Sequence, residues 1–134
     1  MTVQFDLIGL IVADMAKSLA FYRQLGLDIP AGADGEPHVE VALRGGLRLA
    51  FDTVDTIRSF DPEWTKPSGG PGTSLAFHCG DPAGVDKTHA RLVAAGYPNH
   101  KAPWDAFWGQ RYAQVHDPDG NSVDLFAPLD ATAK

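Results

Sequence analysis

The stretch Trp104–Leu129 reads WDAFWGQRYAQVHDPDGNSVDLFAPL and combines an aromatic loop, a strand, a turn and a returning strand. Tyr112–His116 has strand composition. Asp117-Pro118-Asp119-Gly120 predicts a tight turn, because Pro sets φ and Gly tolerates conformations closed to other residues. Ser122–Ala127 then returns as the partner strand. Side chains alternate across a strand. If Val115, Val123 and Leu125 face a core, then Tyr112, Gln114, His116, Ser122, Asp124 and Phe126 share the other face. That face is polar, aromatic and carries a carboxylate, which suits a pocket wall better than a core. Trp104, Phe107 and Trp108 stand just upstream, at its rim.

Before this stretch the chain alternates strands and helices. Phe5–Val12 predicts a buried strand, and Asp14 caps a helix over Met15–Leu25 that Gly26 ends. Residues 28–37 are loop. His38–Leu43 and Leu47–Asp52 flank Gly45-Gly46, a hairpin signal. Residues 61–72, with three Pro and three Gly, form the clearest linker. Ser74–Cys79 predicts a strand, Asp81-Pro82 opens a second helix ending at Gly96, and a short extended piece lies near His100–Ala102. The tail after Leu129 is expected to fray.

Length and composition bound the answer. A chain of 134 residues suits one compact domain with a sizeable core. Hydrophobic residues make up 44% and charged residues 21%, as in an ordinary folded protein. No apolar run spans a bilayer, and the N-terminus lacks the order of a signal peptide. Cys79 is the single cysteine, which fits a reducing cytoplasm and predicts a small buried strand residue. The formal charge of −6 argues against nucleic acid as a partner and favours a neutral or cationic ligand.

An internal repeat sets the topology. VDKTHARLVAAG (85–96) answers MAKSLAFYRQLG (15–26), and each helix follows a strand and an Asp. The expected fold is α+β: two βαβββ modules forming a concave mixed sheet within a single 1–134 domain. The first module spans 1–60, the linker 61–72 and the second module 73–129. The patterns I-V-A-D-x-x-x-S-x-x-F-Y-R-x-L-G (Ile11–Gly26) and D-P-D-G-N-x-V-D-L-F (Asp117–Phe126) resemble the vicinal oxygen chelate superfamily, which includes glyoxalase I, extradiol dioxygenases and bleomycin-resistance proteins. DMAKS (14–18), GGLRLAFDTV (45–54), DPEW (61–64) and WGQRYA (108–113) look most like its mitomycin-binding resistance proteins.

The resemblance implies metal positions, which this sequence fills unusually. Leu7 and Ser74 stand where a His is common, Asp124 stands where a Glu is common, and Ala50 occupies a further position. A divalent ion needs several N or O donors converging on one point. The inherited site therefore has neither a metal set nor catalytic residues, and no cofactor is expected. A displaced site from His38, Glu40, His78 and His116, with Asp52 and Asp124 nearby, is the alternative. Alternation points Gly9, Ala42, Ala50, Ser74 and Ala76 inward, leaving volume for a ligand.

These features predict a protein that sequesters a planar antibiotic, mitomycin- or bleomycin-like, without catalysis. His38 and Trp108 would sandwich the flat part of the ligand. Glu40, Asp52 and Asp124 would accept its hydrogen bonds, with Tyr112, Trp104, Phe107, Gln114 and Ser74 completing the ligand-binding set. The alternative is a lyase, isomerase or oxygenase with a displaced metal or none. A cytoplasmic homodimer with a small-molecule partner, and with no nucleic-acid or membrane partner, is expected.

Overall fold

The computed structural model describes residues 2–70 and 72–130; residues 131–134 of the expected frayed tail lie outside them. The chain divides into two compact units, Met1–Lys66 and Pro67–Lys134, with the boundary inside the 61–72 linker.

The first unit runs β1 (Leu7–Val12), α1 (Met15–Gln24), β2 (His38–Ala42), β3 (Arg48–Thr53) and α2 (Val54–Arg58). Its sheet has the order β1-β3-β2, with β1 parallel and β2 antiparallel to β3. Asp14 caps α1 by accepting from the Lys17 N–H at 3.1 Å. The face toward the helix carries Val39, Val41, Leu49 and Phe51, all buried. Tyr22 of α1 packs on Phe51 with ring centroids 5.3 Å apart. Gly45 and Gly46 take positive φ, as the turn between β2 and β3 requires. This unit has three strands: between α1 and β2 the chain forms a short 3-10 helix, Ala31–Gly35, where a βαβββ module would run a further strand, and after β3 Thr53 caps α2. Arg23 is structural, reaching the carbonyls of Ile29 and Pro30 and the carboxylate of Asp34.

The second unit has the full order β4 (Ser74–His78), α3 (Pro82–Ala94), β5 (Asn99–Ala106), β6 (Gln110–His116) and β7 (Ser122–Pro128). Its sheet runs β4-β7-β6-β5 and is also mixed, with β4 parallel to β7. Helix α3 packs on β5, β6 and β7, burying Val85 and Leu92 with Val115, Val123 and Leu125. The fold is thus mixed α+β, with sheets of three and four strands.

The repeat persists at the helix ends. The Leu27 N–H donates to the Tyr22 carbonyl and the Tyr97 N–H to the Leu92 carbonyl, around Gly26 and Gly96 in positive φ. The N-termini differ. Asp14 caps the ten-residue α1, whereas Asp81 starts the thirteen-residue α3 three residues earlier in the repeat register. At Asp117–Gly120 the Gly120 N–H donates to the Asp117 carbonyl at 3.0 Å. The buried Asp117 carboxylate also accepts from the N–H groups of Asp119 and Asn121 and from the Asn121 amide.

Two corrections concern the aromatic region. Trp104 is not in a loop but on β5, directly opposite Tyr112. The extended piece expected at 100–102 is an eight-residue strand, with register shifts between Asn99 and Lys101 and between Lys101 and Trp104.

Candidate functional site

Cross-strand register sorts the polar face of each sheet into rows. In the second unit one row runs His78–Phe126–Tyr112–Trp104, and the next runs Ala76–Asp124–Gln114–Lys101. A third row holds Ser74, Ser122 and His116. An aromatic row thus borders a polar row across four strands.

The aromatic row continues onto the β5–β6 turn. Trp108 meets Trp104, Phe107 and Tyr112 edge to face, with centroids at 5.5, 4.9 and 5.2 Å. Its indole N–H donates to Gln110 Oε1 at 2.8 Å, which holds the ring. Trp108 remains 48% exposed and Phe107 91%. The Lys101 ammonium lies 4.8 Å from the Trp104 ring centroid, a cation–π contact. At the other end His78 packs on Phe126 at 5.1 Å, and its Nδ1 accepts from the Gly80 N–H at 2.9 Å.

The polar row centres on Asp124, which is 6% exposed. Its Oδ1 accepts from Gln114 Nε2 at 3.0 Å and Ser122 Oγ at 3.2 Å. Its Oδ2 accepts from the Tyr112 hydroxyl and from Ser74 Oγ at 3.5 Å. Four neutral donors therefore close a buried carboxylate. Burial first, and then the Asp124 carboxylate, push the Tyr112 hydroxyl up to about 12, so Tyr112 keeps its proton.

The matching rows of the first unit carry charge. Ile11–Asp52–His38 answers the aromatic row, and Gly9–Ala50–Glu40 answers the Asp124 row. His38 Nδ1 stands 2.5 Å from Asp52 Oδ1, and Nε2 2.8 Å from Glu40 Oε2. Arg48 donates to Glu40 at 2.5 Å and to Asp6. Glu40 and then Asp52 raise the pKa of His38, while His38 and then Arg48 lower that of Glu40. Both ring nitrogens face carboxylates, so His38 bridges Asp52 and Glu40 within the sheet face.

The predicted residues thus fall into two groups. Ser74, Trp104, Phe107, Trp108, Tyr112, Gln114 and Asp124 come together in the second unit; His38, Glu40 and Asp52 come together in the first. Arg48, at the end of the ladder, is not among the site residues predicted from the sequence. Its alternation with buried Leu49 was the available signal. A shallow depression of about 490 Å³, lined by Met15, Asp34, Glu36, Pro37, Thr53 and Thr56 among others, shares no residue with either group. It lacks aromatic rings and histidine.

The donors do not fit a divalent ion of the family type. Asp124 is surrounded by hydroxyls and an amide, and Ala50 holds the corresponding row position in the first unit. Among the described residues no group of three His, Cys, Asp or Glu could hold a metal. Glu40 and Asp52 approach His38 from opposite ring nitrogens, so the three do not aim at one point. His78 and His116 are two rows apart, on strands either side of β7. Cys79 is half-buried, and burial raises its thiol pKa, which makes it a poor nucleophile. No helix among the described residues is long and apolar enough to cross a membrane.

Comparison with known proteins matches residues 4–125 to the family model described as Glyoxalase/Bleomycin resistance protein/Dioxygenase superfamily. A glyoxalase/bleomycin resistance protein/dioxygenase family enzyme from Burkholderia phytofirmans PsJN superposes with TM-score 0.80 at 20% identity, covering 95% of this chain and 100% of that one. A glyoxalase-related enzyme from Fulvimarina pelagi gives 0.77 at 24% identity, covering 98% and 95%. A glyoxalase/bleomycin resistance protein/dioxygenase from Nocardioides gives 0.73 at 22% identity, covering 100% and 90%. At these identities the likeness is one of fold. No curated protein matches the chain.

Proposed function

The chain belongs to the glyoxalase/bleomycin resistance protein/dioxygenase superfamily, and we propose that within it this protein binds and sequesters a planar, neutral or cationic small molecule without metal chemistry. The observation that carries the reading is the state of Asp124. The carboxylate at the family's metal position is buried and satisfied by four neutral donors. Its row neighbours are Ala76 and Gln114, neither of which supplies the anionic or imidazole donors a divalent ion requires.

Beside it the aromatic row offers flat apolar surface with polar groups along one edge, the usual composition of a small-molecule site. Mitomycin- or bleomycin-like antibiotics are the ligand class we propose, and drug resistance the outcome. Bound drug is withheld by mass action, so protection requires protein at or above the drug concentration. We place the binding on the second unit's face; His38 and Trp108 belong to different units.

Titration of tryptophan fluorescence with mitomycin C and with metal-free bleomycin, alongside elemental analysis of the same sample, tests the reading. Saturable quenching by a metal-free protein supports it. About one metal per chain, lost in Asp124→Ala, would overturn it.

A further inference from the structure

The hydrogens around Asp124 have a consequence for what this face can recognise. A carboxylate only accepts, so each neighbour bonded to it must turn a hydrogen inward. Tyr112, Ser74 and Ser122 have one hydroxyl hydrogen each, and all three point at Asp124. Gln114 turns its NH2 group to Oδ1 at 3.0 Å. A hydroxyl or carboxamide left alone serves a ligand donor or acceptor equally well by rotating or flipping. Here that freedom is removed. What remains for a ligand is lone pairs on the hydroxyl oxygens and, above all, the Gln114 carbonyl oxygen, which has no partner among the described residues.

We infer that Asp124 makes this polar row acceptor-only, with Gln114 Oε1 as the group that selects flat ligands carrying an N–H donor. Asp124 itself is a positioning residue and does not touch the ligand. The inference rests on the proposed binding of a planar molecule at this face. Gln114 lies on β6, between Asp124 on β7 and Lys101 on β5, and one row from Tyr112. Successive same-face residues on a strand are roughly 7 Å apart. A ring over the aromatic row therefore presents its edge to Gln114. The Lys101 ammonium does not compete for that carbonyl, because it sits on the Trp104 ring. Lactam, carbamoyl and aromatic amine groups fit; edges that offer only ether or carbonyl oxygens do not.

A matched pair of probes isolates the donor: 2-quinolinone and N-methyl-2-quinolinone share a plane and a carbonyl and differ in the N–H. In ligand-observed NMR titrations of the whole chain, the parent should bind 2-quinolinone about two- to tenfold more tightly, the worth of one net hydrogen bond. Asp124→Asn supplies N–H donors where the carboxylate accepted. Gln114 can then turn its carbonyl inward, and the preference should vanish or invert. Gln114→Met, which leaves Asp124 its three hydroxyl donors, should bring the ratio to about one. It decides the matter should Asp124→Asn fail to fold by thermal melt.

Equal binding of the two probes by the parent would overturn the inference while leaving the binding reading standing. A preference that survives Gln114→Met would do the same. If neither probe nor mitomycin C binds the parent, the binding reading fails and the inference falls with it.

Discussion

The Nδ1 atom of His38 stands 2.5 Å from Oδ1 of Asp52, the residue directly opposite it on β3. With Glu40 on the other ring nitrogen, both nitrogens must donate, which only the imidazolium can do. The pKa of His38 is therefore raised above the ordinary 6.5. A raised histidine pKa means that the folded chain holds the proton more tightly than the unfolded chain. The stabilisation is complete below the ordinary value and is lost as pH rises through the raised one. The gap in melting temperature between the parent and His38→Gln should be wider at about pH 5.5 than at about pH 9. An equal gap at both would show that the ring contributes no charge-linked stability.

The Tyr112 hydroxyl gives a second titration, of opposite range. Its pKa lies at about 12 instead of 10, through burial and then the neighbouring Asp124 carboxylate. The alkaline absorbance change that disappears in Tyr112→Phe should have its midpoint near about 12. The folded chain keeps this proton while the unfolded chain releases it at the ordinary value. Stability linked to Tyr112 is thus intact below pH 10 and declines as pH approaches about 12. A midpoint at the ordinary value would mean that the contact with Asp124 does not persist in solution.

Alternation made most of this arrangement legible from the sequence. His38-Val39-Glu40-Val41 alternates exposed and buried, as read, because one face of the sheet packs a helix and the other does not. The same rule placed Tyr112, Gln114 and Asp124 together. The start of β5 was less legible, because His100, Lys101 and Ala102 are exposed and two register shifts break the period. No local pattern announced that Thr53 would cap the helix Val54–Arg58. Hydrogen direction around Asp124 was also beyond a one-dimensional pattern, since it depends on four side chains from three strands meeting at one carboxylate.

Gly84 marks where the two repeats diverge. In the repeat register it answers Asp14, which lies outside α1, whereas Gly84 lies in the first turn of α3. A Cβ placed there would stand 2.0 Å from the Cys79 carbonyl oxygen, a backbone atom with little freedom to move. Gly84→Ala should therefore destabilise the chain by about 1–3 kcal/mol through overpacking, despite alanine's better helix propensity. Gly32→Ala, at a position with nothing within 4 Å, is the control. Denaturant unfolding of the two variants makes the comparison, and equal midpoints would show that the α3 N-terminus adjusts freely.

Trp108 is the ring we expect a ligand to stack upon. Its neighbours Trp104, Phe107 and Tyr112 meet it at interplanar angles of 89°, 86° and 78°, so no protein ring lies parallel to its plane among these contacts. The bond from its indole N–H to Gln110 holds the plane before a ligand arrives, which lowers the ordering cost of binding. Trp108→Ala should weaken mitomycin C binding by ~1–3 kcal/mol, combining lost stacking with lost apolar burial. Trp108→Phe should cost much less, because an aromatic face remains even though the bond to Gln110 is lost. Gln110→Ala should fall between the parent and Trp108→Ala, since it loosens the ring without removing it. Calorimetry on variants whose melts match the parent makes the measurement. If Trp108→Ala binds mitomycin C as tightly as the parent, the ring only caps the β5–β6 turn and stacking occurs elsewhere or not at all.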